Sequence, residues 1–228
     1  MSLHCYQVKK LVKLYKRLNG SSSALIQDNQ QSCIMTIKDH LENRLKLWYW
    51  VISEIKGIHN FQQQERMNDS FYRRLFVNNL FSILDTYIHV IKELVKIKTI
   101  IDNDDNNPIS WTEMAVLHEK KVVLDSQGNV QVKDDFQELV SLLRFTLNIF
   151  ARVFQADQPD DSDSQFEKLT YLASRKKEIL HPQSPVVLNI TDQEIKEAQT
   201  LLLWLMHTHD ALNNPLSQWL KKMENEWK

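Results

Sequence analysis

Only three glycines and five prolines occur in this 228-residue chain. Glycine is what tight turns and phosphate-cradling loops consume, so its scarcity argues against a Rossmann or P-loop nucleotide site and in favour of long helices. Neither G-x-G-x-x-G nor G-K-[ST] is present. Cysteine is almost as rare. Cys5 and Cys33, in a chain without an apolar signal segment, fit a reducing cytosol better than a disulfide framework, and neither has metal-ligand spacing. A cytoplasmic location is the expectation. Long apolar runs are missing too: 47–52 and 201–206 are the longest and are far too short to span a bilayer. Nor is there an excess of one charge. With a net charge of −1 and a pI near 6.7, no global basic field draws in long nucleic acid, and any such contact must be local.

What the chain does have is helical periodicity, on a composition of 43% hydrophobic and 25% charged residues that is ordinary for a globular protein. Residues 3–18 carry a basic amphipathic pattern with no acidic residue, which predicts an N-terminal helix over about 1–20 that lies on a membrane surface, acts as a targeting presequence, or docks on the body. Asn19-Gly20 and three serines then break the pattern, and residues 21–228 read as a single helical-bundle domain. Ile34, Ile37, Leu41, Leu45, Trp48, Ile52 and Ile55 recur at three- and four-residue steps, predicting a long helix that ends at Gly57. Val77, Leu80, Leu84, Tyr87, Ile88, Ile91 and Leu94 mark a second between Ser70 and Ile101, with Asp85 at its margin as an eligible partner for a buried cation. Phe136, Leu139, Leu143, Leu147, Phe150 and Phe154 mark a third over 134–155. Thr191 and Glu194 form a capping box for the last, whose stripe is Ile195, Ala198, Leu202, Leu205, His209 and Leu212. Residues 120–133 alternate around Gly128-Asn129 and predict one small β-hairpin. The fold class expected is therefore an all-α antiparallel bundle of four to six long helices with one hairpin near 121–133.

Two metal patterns need weighing. Oxygen-bearing residues at positions 1, 3, 5, 9 and 12 of Asp102–Glu113 match an EF-hand loop, but Asn107 stands where the sharp turn wants glycine and Pro108 follows it. A capping box of Ser110 with Glu113 explains the same residues, so calcium binding is expected to be weak or absent. His207 and His209 are roughly 200° apart around a helix and cannot share a metal. No metal and no cofactor is expected.

The densest positive charge lies in Arg175-Lys176-Lys177, on a helix that Ser164 and Glu167 cap at its start and that Pro182 ends near Leu180. Phe166, Leu169, Leu172, Ala173, Ile179 and Leu180 share one arc of that helix, and Lys176 projects from its middle. A lysine there must snorkel, meet a carboxylate, or face a cavity or interface that holds an anion. His181 sits on the exit corner. The bland alternative is that the three cations complement the negative end of the helix dipole.

An arginine followed after five residues by a histidine, at the end of the third long helix and before a proline and a capped helix, resembles the R-x(4–6)-H motif of the HEPN superfamily. The resemblance covers about residues 70–212. It implies a helical bundle with the motif at a homodimer interface, and a metal-independent endoribonuclease of toxin–antitoxin or phage-defence type, with RNA as substrate and a cognate antitoxin or regulatory protein as partner. Carried onto this chain, it puts the catalytic pair on Arg175 and His181. The position after the arginine, usually Asn, Asp or His in the family, is Lys176 here. In such a site His181 transfers the protons of 2′-OH attack, Arg175 holds the phosphate, and Lys176 adds a second positive charge. The alternative is a non-catalytic interaction or regulatory module that binds a protein partner, nucleotide or phosphate through the Arg175-Lys176-Lys177 face.

Overall fold

The computed structural model describes residues 24–61, 65–102, 108–124, 126–127, 129–135, 137–157 and 163–226, so the basic segment 1–20 and Cys5 lie outside the described residues. In order come helix α1 (Ala24–Phe61), α2 (Ser70–Asp102), the short α3 (Trp111–Leu117), strands β1 (Lys120–Leu124) and β2 (Val130–Asp134), then α4 (Leu139–Phe154), α5 (Asp163–Leu180) and α6 (Asp192–Glu226). Single 3₁₀ turns sit at Glu65–Asn68 and Pro185–Leu188. The fold is all-α with one two-stranded antiparallel hairpin, as its glycine scarcity and helical stripes predict. Among the described residues no helix is long and apolar enough to cross a membrane.

Trp48 is the post around which the bundle closes. Fully buried on α1, it stacks on Tyr87 of α2 at 5.7 Å between ring centroids, on Phe150 of α4 at 5.9 Å, and on His209 of α6 at 4.1 Å. Its Nε1 donates to Asn213 Oδ1 at 3.1 Å, so the one polar atom of the ring is satisfied. These contacts fix helix directions. Trp48 meets Tyr87 while Arg44 meets His89, so α1 and α2 run antiparallel; α5 and α6 do the same, with Tyr171 against Glu194 and Phe166 against Trp204. One continuous buried cluster reaches from Leu41 to Met223 and takes in every apolar member of the α6 stripe.

The boundaries depart from sequence expectation where packing outweighs local preference. α1 runs on through Gly57, because Ile55 on one side is buried and Ile58 on the other packs against the core, which offsets the roughly 1 kcal/mol that a helical glycine costs. α6, for which the sequence reading set no end, runs on through Pro215, with Leu212, Leu216, Trp219 and Met223 buried across it. α4 starts later than predicted, at Leu139 rather than Asp134, because Asp134 is claimed by β2. α5 starts at Asp163, with Ser164 inside the helix instead of capping it. Asp85 is exposed on α2, and none of the salt bridges among the described residues involves it.

His209 is buried against the Trp48 ring, and burial pushes its imidazole down to about 4, with Lys56 acting in the same direction and Asp210 opposing. A histidine whose folded value lies below its unfolded value of 6.5 leaves stability intact above that value and removes it as pH falls. Denaturant melts should therefore show about 2 kcal/mol less stability at pH 5 than at pH 7 from this group. His209→Phe, which keeps the stack and cannot titrate, should remove that part of the loss.

Candidate functional site

The corner between α5 and α6 is built by three arginines. α5 ends at Leu180, with the His181 amide donating to the Lys177 carbonyl at 3.1 Å, and the chain reaches α6 through the turn at 185–188. Such a connection carries carbonyls that no helix satisfies. Four consecutive ones accept from guanidinium groups: Val187 at 3.3 Å and Asn189 at 3.2 Å from Arg175, Leu188 at 3.1 Å from Arg74, and Ile190 at 2.8 Å from Arg73. Arg73 and Arg74 begin α2, so the connection is tied to two helices at once.

Arg175 itself is almost wholly engaged. Its Nε donates to Glu194 Oε1 at 2.5 Å, one terminal nitrogen pairs with Glu178, and the other serves the Val187 and Asn189 carbonyls. Glu194 is equally saturated. Its side chain is 3% exposed. Besides Arg175 it accepts from the Tyr171 hydroxyl at 3.2 Å, the Thr191 amide at 2.7 Å and the Thr191 hydroxyl at 2.8 Å. With Glu194 N donating back to Thr191 Oγ1 at 3.2 Å, the capping box read from sequence is present. Burial alone raises the Glu194 carboxyl, but the Thr191 amide and the Arg175 guanidinium outweigh it and hold the group below the ordinary carboxylate range. Hydrogen bonding to Glu194 in turn raises Arg175 above its ordinary value.

Two of the three arginines are paired with carboxylates within the chain: Arg73 with Asp192 at 2.5 Å, and Arg175 with Glu178 and Glu194. Lys176, expected to need an anion, lies half-buried with Nζ 5.1 Å from the centroid of the Phe81 ring, so a neighbouring aromatic face receives it within one chain. Lys177 and His181 are exposed. No hydrogen bond joins Arg175 to His181 among the described residues. Leu180, placed on the apolar arc by spacing, is the last residue of α5 and is 53% exposed. Sequence reading missed Arg73, Arg74 and the pairing of Arg175 with Glu194; the only local signal was a pair of arginines at a helix start.

A groove of about 710 Å³ runs between α4 and α5, with Val140, Phe145 and Phe166 among its lining. Arg144, 4.3 Å from the centre of the Phe166 ring, stands at its rim. None of Arg175, Lys176 or His181 lines it. In the acidic loop, residues 103–107 lie outside the described residues. Its flanks are committed to the fold: Asp102 pairs with Lys98 and accepts from Trp219 Nε1 at 3.1 Å, and Glu113 accepts from the Ser110 amide at 2.8 Å and pairs with Arg152 at 2.6 Å. Among the described residues no cluster of His, Cys, Asp and Glu has metal-holding geometry. No family model, curated protein or solved structure matches this chain significantly.

Arg175→Ala strands a buried carboxylate, so it should cost about 3 kcal/mol in urea melts. His181→Ala, at an exposed corner, should stay within about 0.5 kcal/mol of wild type.

Proposed function

We propose that the chain is a non-catalytic helical interaction module of HEPN-like architecture, which binds an acidic protein partner at the corner after α5. The observation that carries this reading is the commitment of Arg175. A guanidinium that already serves two carboxylates and two carbonyls, with a side chain only 15% exposed, has no fork left to offer a phosphate. The arginine of the motif acts here as a fastener, and the groups it holds in place are the ones on display.

Those groups make a mixed apolar and basic surface. Leu180 and Val186 are exposed beside Lys177 and His181, and Phe71 and Leu75, exposed on the first turns of α2, lie at the same end of the bundle that Arg73 and Arg74 tie to the connection. Apolar centres rimmed by charge are how protein partners are recognised, and the positive rim selects an acidic one. The ribonuclease reading keeps one supporting observation: His181 is exposed next to Lys177, where it can move protons.

Single-stranded RNA incubated with the protein in EDTA between pH 6 and 8 should remain intact. Cleavage that His181→Ala abolishes while the fold survives would establish the endoribonuclease instead. An amphipathic peptide of alternating Leu and Glu should bind wild type, with Lys177→Glu weakening it about tenfold, the size of one reversed charge at a partly desolvated rim.

A further inference from the structure

The hairpin presents a surface that nothing at the α5–α6 corner uses. Its base is anchored firmly. Lys92, 5% exposed on α2, pairs with Glu119 at 2.6 Å, and the Asp135 amide donates to the Glu119 carbonyl at 2.9 Å. Glu119 holds this position with φ at 53°, a left-handed conformation that costs a non-glycine residue about 1 kcal/mol or more. Glu113 of α3, paired with Arg152 of α4, fixes the approach from the other side. Burying a lysine and straining a glutamate locates the ribbon, yet all five residues of β2 are exposed, Val130 at 69% and Val132 at 64%. A two-stranded ribbon uncovered by helices is marginal by itself in water. Among the described residues no third strand continues the sheet.

We infer that β2 is a docking edge for a second copy of this chain, joined by antiparallel strand addition about a two-fold axis at Gln131. β2 opens with Val-Gln-Val, both valines exposed, and its charges are confined to its last two residues, Lys133 and Asp134, the latter paired with Lys120 of β1. A two-fold contact requires β2 to be complementary to itself. Centring it on Gln131 sets Val130 opposite the partner's Val132 and Lys133 opposite the partner's Asn129, with no like charges facing. Centring on Val132 sets Val130 against the partner's Asp134, and centring on Lys133 sets two lysines face to face, which is destabilising. The near-zero net charge adds no repulsion between copies. One strand pair is a small interface, so the dimer is weak and depends on concentration.

Sedimentation velocity on the full chain from about 5 to 200 µM tests this, a range chosen for a small interface. Wild type should shift from monomer to dimer. Val132→Lys and Val130→Glu should each weaken the dimer about tenfold, because the two-fold repeats every pair. The double variant V130E/V132K should recover it, since each glutamate then faces the partner's lysine in this register alone. The helical circular-dichroism signal should be unchanged throughout, since all five residues of β2 are exposed. As an independent arm, Gln131→Cys with Cys5 and Cys33 changed to Ser should form a disulfide-linked dimer under mild oxidation, and Lys133→Cys should not. A monomer at every concentration, a dimer indifferent to Val132→Lys, no recovery in the double variant, or no linkage through position 131 would each overturn the inference. A dimer indifferent to Val132→Lys would place the contact on another face, while the binding of an acidic partner at the α5–α6 corner is tested separately by the peptide titration.

Discussion

The bond between Arg175 and Glu194 is the constraint on which the α5–α6 corner depends. An ion pair this buried has a large desolvation cost, and it persists only when the remaining lone pairs and protons are satisfied. Here they are, by Thr191, Tyr171, Glu178 and the carbonyls of Val187 and Asn189. The pair does three things at once: it caps α6 from outside, fixes the roll of α5, and satisfies a connection that would otherwise leave backbone acceptors unpaired near the core. Arg73 and Arg74 extend the same logic to α2.

Apolar and polar interactions divide the labour by position. Around Trp48, close packing of rings and aliphatic side chains sets the distances between α1, α2, α4 and α6, and its energy is mostly the removal of apolar surface from water. Where the chain leaves α5, residues 181–189 are exposed or half-buried before Ile190 returns to the core, and charge-assisted hydrogen bonds hold their path. Lys176 stands between the two regimes, its stem among apolar side chains and its ammonium on the Phe81 ring.

What was legible in the sequence was local. The helical stripes, both capping boxes that the structure forms, the hairpin and the end of α5 all follow from residues within a few positions of one another. What was not legible was pairing at a distance. An arginine six positions before a histidine reads the same whether its guanidinium faces solvent or a buried carboxylate 19 residues on, and Glu194 was already accounted for by its local role with Thr191. Lys176 was harder still, since the ring that receives it lies 95 positions earlier, on another helix. Two of the misjudged boundaries share a cause: Gly57 and Asp134 follow the tertiary neighbours of their segments over their own propensities.

Arg175 acts in this structure as a fastener. On the reading proposed above, a sequence with the R-x(4–6)-H spacing presents Lys177 and His181, both exposed, on a frame that Arg175 holds from behind. The most direct measurement is a double-mutant cycle on Arg175→Ala and Glu194→Ala, followed by urea unfolding at neutral pH. If the two side chains form one buried unit, either single variant disrupts it and the double variant costs little more, giving a coupling of about 2 kcal/mol or more. Additive losses, with coupling near zero, would contradict the account and leave the arginine free for a ligand.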